Sequence, residues 1–277
     1  MTYPPAPWQL QGYAIQSLNF LDIEYSRKYI PPELEIVSLF PEGKVRQNWT
    51  TFSSPGFGIA NFSFLAGKTS YLLITKLGLL TIKMLVLPRL SNFVQFHWTP
   101  GKTLGGVYLS VYESGSLVQY NELIVVAGLV KYQQKLGFWI SHIYVDSETS
   151  VVGGREIWGL PKEMAEFIWQ DKGVDVRQGD RLLCSLEYKP SCLNLSTWWQ
   201  QKFSTSAFSG LDFDLLRFTS EFSTKLGLLS SKLTVPADSP FTELNLGQPW
   251  LTLNLKNLDL VAGIPEIVGN KSTPLEV

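Results

Sequence analysis

Lys162 closes the segment Gly153-Gly154-Arg155-Glu156-Ile157-Trp158-Gly159-Leu160-Pro161-Lys162. Two readings compete for it. It is a surface charge ending a turn beside Glu163, or an amine held where its charge is disfavoured. The second reading is chemistry, because a neutral amine attacks carbonyl carbon. Neutrality at working pH requires lowering the lysine pKa from about 10.4 to about 6–7, roughly 5 kcal/mol of destabilised charge. Desolvation can supply that penalty, and Trp158, Leu160, Met164 and Phe167 flank the lysine in sequence. Pro161 fixes its own φ and biases Leu160 towards an extended backbone, so Lys162 leaves the chain in a defined direction.

Two carboxylates could work with such an amine. Glu113 stands where an apolar strand reaches the turn Glu113-Ser114-Gly115-Ser116. It is either a solvated turn acid or a proton carrier aimed into a cavity. Glu122 opens the strongly apolar run that continues to Val130, and a buried glutamate is rare unless paired. Arg155 and Glu156 offer structural pairing near the lysine. The 277 residues hold only two histidines, His97 and His142, and two cysteines, Cys184 and Cys192. That leaves little room for histidine-based metal sites or a disulfide framework, and a reducing, cytoplasmic setting fits best. A formal net charge of −1 gives no footprint for nucleic acid. Gly153-Gly154 has neither of the nucleotide-binding glycine spacings, and the N-terminus lacks the basic and apolar regions of a signal peptide.

The elements that must position these groups read mainly as strands. Runs of alternating or continuous apolar residues occur at 12–15, 34–39, 107–112, 120–130, 138–145, 165–169, 182–188 and 250–256. Turn residues separate them. Asp22 to Tyr29 reads as a helix, with Asp22 as its cap and Pro31-Pro32 as its stop. Many short strands with few helical periods predict a mainly β fold: an antiparallel cone-like or closed barrel around an apolar cavity. Residues 45–100 differ. From Val45 to Tyr112 there is no Asp or Glu, while Arg46, Lys68, Lys76, Lys83, Arg89 and Lys102 are basic. This stretch reads as an insertion into one domain spanning 1–277. Tyr71 to Leu87 is apolar, but its length is at the lower limit for spanning a bilayer and Lys76 and Lys83 interrupt it, so the transmembrane reading is weak. It reads as an extra buried hairpin or helix, or as a weak membrane contact.

Several of these motifs carry a family resemblance. Gly154-Arg155-Glu156 followed by Pro161-Lys162 is similar to the active-site segment of the acetoacetate decarboxylase family. In the same order come Pro5 to Trp8, Pro31 to Ile36, Tyr112-Glu113-Ser114-Gly115, and Val145-Asp146-Ser147-Glu148 leading into Gly153-Gly154. The resemblance covers roughly residues 4–44 and 103–262. Gly105 to Leu109, Tyr120 to Gly128 and Gly159-Leu160-Pro161 also resemble the plant neoxanthin-deficient proteins, divergent relatives in the same superfamily. The resemblance implies a lysine that condenses with a keto acid, CO2 release through an imine, and no cofactor. By position Lys162 would form the imine and Glu113 would be the cavity carboxylate, with Tyr13, Glu122 and Leu160 at the substrate. Acetoacetate decarboxylase is itself the standard example of an activated lysine, so activation of Lys162 is something the resemblance implies. Two positions depart from the family: Glu163 replaces a second lysine, and Tyr13 stands where an arginine is expected. A non-catalytic protein binding an apolar ligand or isoprenoid is the alternative reading. A homo-oligomer is expected in either case.

Overall fold

Among the described residues, strands form where apolar residues alternate or run continuously, and they account for nearly all regular structure. The structure, a computed structural model, describes residues 3–39, 53–54, 57–59, 73–75, 101–191 and 199–272. The chain divides into two units, Met1–Leu39 with Gly101–Val277, and Phe40–Pro100.

The first unit opens with β1 (Trp8–Asp22), α1 (Ile23–Arg27) and β2 (Glu35–Ile36). In the second unit β3 (Ser53–Ser54), β4 (Phe57–Ile59) and β5 (Leu73–Thr75) form a small antiparallel sheet. Apart from Leu73–Thr75, the expectations for residues 71–87 lie outside the described residues. The first unit resumes with β6 (Lys102–Tyr112), β7 (Tyr120–Tyr132), β8 (Lys135–Val145) and α2 (Glu148–Trp158). Then come β9 (Lys162–Met164), β10 (Glu166–Gln170), β11 (Gly173–Gln178) and β12 (Arg181–Pro190). The chain ends with β13 (Gln201–Leu211), β14 (Asp214–Thr234), β15 (Leu251–Ala262) and β16 (Glu266–Asn270).

The strands of the first unit make one 13-stranded sheet. Its main path runs β10-β11-β12-β14-β13-β8-β7-β6-β1-β15, and a further β14–β15 pairing closes the stretch from β14 to β15 into a ring. Most pairs are antiparallel; β13 with β8 and β8 with β9 are parallel. No helix among the described residues is long and apolar enough to cross a membrane.

Register sorts the side chains of the central strands onto two faces. Ile15, Leu109 and Leu123 are cross-strand neighbours on one face. They belong to the main apolar core with Val174, Val176, Leu183 and Leu186 of β11 and β12. Ala14, Ser110 and Glu122 are neighbours on the other face. Because side chains alternate along a strand, a glutamate beside leucines in sequence need not share their environment.

Three local expectations change. The helix predicted over Asp22–Tyr29 shortens to α1, because Asp22 ends β1 and its carboxylate pairs with Lys102 at 2.7 Å instead of capping. The strand predicted over 34–39 reduces to β2, paired with β7. Helix α2 is absent from the sequence reading, since Gly153-Gly154 lowers helix propensity. It forms all the same: the Ser147 side chain caps its start by accepting from the Ser150 amide, and Gly159, at φ +59°, ends it in the left-handed region.

Candidate active site

The glycine pair of α2 explains how a helix comes to lie over Lys162. A Cβ on Gly154 would stand 2.5 Å from Lys162 Cδ, and one on Gly153 would stand 2.6 Å from the Trp8 indole. The helix therefore gives up propensity to approach two side chains more closely than alanine permits. Trp8 is sealed there, 1 % exposed, with its ring edge-on to Trp158 at 5.1 Å. Such a pair adds about 0.5–1.5 kcal/mol beyond its burial.

The turn after α2 aims the lysine. Gly159 reverses the chain, and the Leu160 amide donates to Gly154 O at 3.1 Å. Pro161 follows, and Lys162 opens β9 beside Ile143 of β8. Arg155 Nε donates to the Lys162 carbonyl at 2.8 Å, so the guanidinium holds the backbone of the lysine and not its amine.

Lys162 is 3 % exposed and Glu122 4 %. The Lys162 Nζ donates to Glu122 Oε1 at 2.8 Å and to Ser150 Oγ at 2.9 Å. The rings of Tyr120 and Trp8 lie 4.9 and 6.0 Å from the same nitrogen. Glu122 Oε2 accepts from the Tyr112 hydroxyl at 3.2 Å, and the Tyr112 and Tyr108 hydroxyls are 3.5 Å apart. A buried ion pair of this kind is costly to assemble, since desolvation of both groups opposes their attraction. Burial pushes the phenols of Tyr108, Tyr112 and Tyr120 well above the usual tyrosine range, and the nearby Glu122 charge adds to the shift. All three keep their protons at neutral pH and remain hydrogen-bond donors.

Among the residues singled out from sequence, the fold brings Glu122 to Lys162. Leu160 is buried in the turn leading to the lysine. Glu113 is exposed in the turn between β6 and β7, where its amide donates to Gln11 O. Tyr13 pairs in register with Val111, and Val111 with Asn121, which places it on the face opposite Glu122. There its ring meets Trp169 at 5.7 Å. Glu163 follows Lys162 directly, yet alternation turns it to the other face beside Tyr144, and it accepts from Gln178 Nε2 at 2.8 Å. Its negative charge therefore acts on the side of the sheet away from the amine. Ser150, Tyr108, Tyr112 and Tyr120 were missed from sequence. The period-2 spacing of Tyr108, Ser110 and Tyr112 was the available signal, and their register with Glu122 is set only by the β6–β7 pairing.

The sequence model of the acetoacetate decarboxylase family matches residues 93–212. Those residues hold Glu122, α2 and Lys162. The protein NEOXANTHIN-DEFICIENT 1 of Solanum lycopersicum is 36% identical over 67 residues, covering 24% of this chain and 23% of that protein. The match thus spans about a quarter of the relative's length. Among solved structures, acetoacetate decarboxylase from Legionella pneumophila superposes with a TM-score of 0.58 at 12% identity, covering 98% of this chain and 90% of that one. An enduracididine biosynthesis enzyme, MppR, in complex with the condensation product of pyruvate and imidazole 4-carboxaldehyde, gives 0.56 at 12% identity over 96% and 90%. The fold is thus that of the acetoacetate decarboxylases. Residues 93–212 thus match the family model of the acetoacetate decarboxylases, the fold is similar to theirs, and a quarter of the chain is similar to the neoxanthin-deficient proteins.

Proposed function

We infer that the protein is an imine-forming enzyme of the acetoacetate decarboxylase type, with Lys162 as the amine and Glu122 as its acid–base partner. The observation that carries this reading is the buried contact of 2.8 Å between Lys162 Nζ and Glu122 Oε1, next to Ser150 and three phenol donors. A pocket built only to hold an apolar ligand would have no use for so costly a pair, which counts against the binding-only reading.

The chemistry follows from the contacts. Glu122 takes a proton from Lys162, leaving a neutral amine beside a protonated acid with no change in net charge. The amine adds to the substrate carbonyl. Glu122 returns its proton to the departing hydroxyl, which leaves as water, and a protonated imine faces the carboxylate. With a β-keto acid, the C–C bond to the carboxylate breaks, CO2 leaves, and the electron pair enters the imine to give an enamine. Protonation at carbon and hydrolysis release the ketone and restore Lys162. With an α-keto acid, Glu122 would instead take an α-proton from the imine, and the resulting enamine would attack the carbonyl carbon of an aldehyde and lead to aldol or dehydration chemistry. By position Glu122, and not Glu113, holds the carboxylate role in this scheme.

The test is reduction with borohydride in the presence of acetoacetate or pyruvate, followed by mass mapping. The expected result is an adduct on Lys162 that disappears in Lys162→Met. No adduct on Lys162 across a panel of keto acids overturns the reading.

A further inference from the structure

The imine cycle leaves a proton unaccounted for at the site. The single proton held between Lys162 and Glu122 is spent when water leaves, and Glu122 is then a bare carboxylate. Protonating the enamine carbon after CO2 loss needs a second proton, which must come from solvent. The amine is by then bound to substrate and cannot bring it.

One side of Glu122 remains available. Oε1 faces Lys162, while Oε2 accepts from the Tyr112 hydroxyl at 3.2 Å. The Tyr108 hydroxyl lies 3.5 Å beyond Tyr112. Tyr112 is buried, at 3 % exposed, whereas Tyr108, the outer member of the file, is partly exposed as a residue although its hydroxyl is itself buried. Between the two tyrosines on the same face of β6 stands Ser110, directly across from Glu122. Its side chain is completely buried, lies beside both phenols and interacts with each of them. The longest step in the file, between Tyr108 and Tyr112, is where an extra hydroxyl could bridge.

We propose that Tyr112 and Tyr108, with Ser110 between them, form the proton relay that recharges Glu122 from solvent. The proposal rests on the imine reading of Lys162. In the relay, Tyr112 gives its proton to Glu122 Oε2 as it takes one from Tyr108 or Ser110, and a solvent proton replaces the last one given. Every phenol accepts a proton as it donates one, so no phenolate forms. That suits hydroxyls whose burial holds them protonated. The tyrosines are positioning residues: they act on substrate only through Glu122.

Exchange of the α-hydrogens of acetone in D2O tests this, because acetone forms the imine and enamine without any CO2 step. Glu122 removes a proton from the imine, and that proton must be swapped for a solvent deuteron before it returns. Borohydride trapping of acetone on Lys162 is measured alongside. Tyr112→Phe is expected to slow deuterium incorporation at least ten-fold more than it slows trapping. Ser110→Ala, which removes only the bridging hydroxyl, is expected to trap normally and exchange more slowly by a smaller factor. Deuterium incorporation within two-fold of the wild type in both variants overturns the relay while leaving the imine reading intact. Trapping lost in parallel with exchange in both variants also overturns it, by showing a purely structural role. A wild-type protein that traps neither acetone nor keto acids on Lys162 overturns the imine reading itself, and the relay with it.

Discussion

Lys162 Nζ and Glu122 Oε1 are 2.8 Å apart, although 40 positions separate the two residues in the chain. The lysine comes from the first residue of a three-residue strand, the glutamate from near the start of a thirteen-residue one. β8 lies between those strands, so the contact reaches across the sheet face and depends on register in two pairings. Ser150 reaches the same nitrogen from the first turn of α2.

Removing one partner of this pair strands the other. Lys162→Met should destabilise the protein by about 3–5 kcal/mol, since it leaves an unpaired buried carboxylate. Lys162→Met with Glu122→Leu should recover much of that loss, because both charges then go together. Urea unfolding of the two variants at neutral pH measures the difference. A double variant no more stable than the single one would show that the pair is not coupled as described.

Glu122 and Glu113 should separate cleanly. Glu122→Gln keeps the shape but cannot accept the lysine proton, and imine trapping should slow by roughly 10²-fold or more, the scale of a lost acid–base group. Glu113→Gln, at an exposed turn position, should trap within two-fold of the wild type. Glu163→Gln should behave like Glu113→Gln, as its side chain lies on the opposite sheet face. Time courses of borohydride-trapped adduct, followed by intact mass, give the comparison.

Gly154→Ala tests the close approach of α2. The added methyl would meet Lys162 Cδ at 2.5 Å and Cε at 2.7 Å, so the lysine stem or the helix must shift. Overpacking of this kind costs about 1–3 kcal/mol, which outweighs the gain in helix propensity of about 1 kcal/mol from replacing glycine. The expected result is a lower melting temperature together with slower trapping. A variant more stable than the wild type would mean that propensity governs this position.

Stability should fall at both ends of the pH range, for different reasons. Burial among Tyr29, Tyr144 and Phe241 pushes His142 down to about 4. An unfolded histidine gains its proton near pH 6.5 while the folded one resists, so stability is present above about 6.5 and is lost as pH falls towards about 4. The loss amounts to about 3 kcal/mol. His142→Leu should flatten that limb in urea midpoints taken at pH 7, 5.5 and 4.5. On the alkaline side the phenols of Tyr108, Tyr112 and Tyr120 are raised. Their contribution is complete below about pH 10 and falls above it by roughly 1.4 kcal/mol per pH unit for each tyrosine. Absorbance at 295 nm should show these tyrosines ionising together with unfolding and not before it.

Alternation and turn residues are local properties, and they determined the strands, the mainly β class and the exceptional character of Lys162 and Glu122. Even so, Glu122 drew notice only as a glutamate at odds with its apolar neighbours. Which carboxylate meets the lysine is a matter of register, and register is set by hydrogen-bonded pairing between strands and not by any one strand's residues. The β7–β8 and β8–β9 pairings put Glu122 on the lysine's face, the β1, β6 and β7 pairings put Tyr13 on the other, and Glu113 is left exposed in a turn. Helix α2 was hidden for a related reason. Its two glycines look like helix breakers until Trp8 and Lys162 are seen packed against them. The lysine, its glycine-rich approach and the strand pattern were legible in the residues themselves. Tertiary structure alone decided that the amine is buried against Glu122, Ser150 and Tyr120, because desolvation and pairing arise only when distant segments meet.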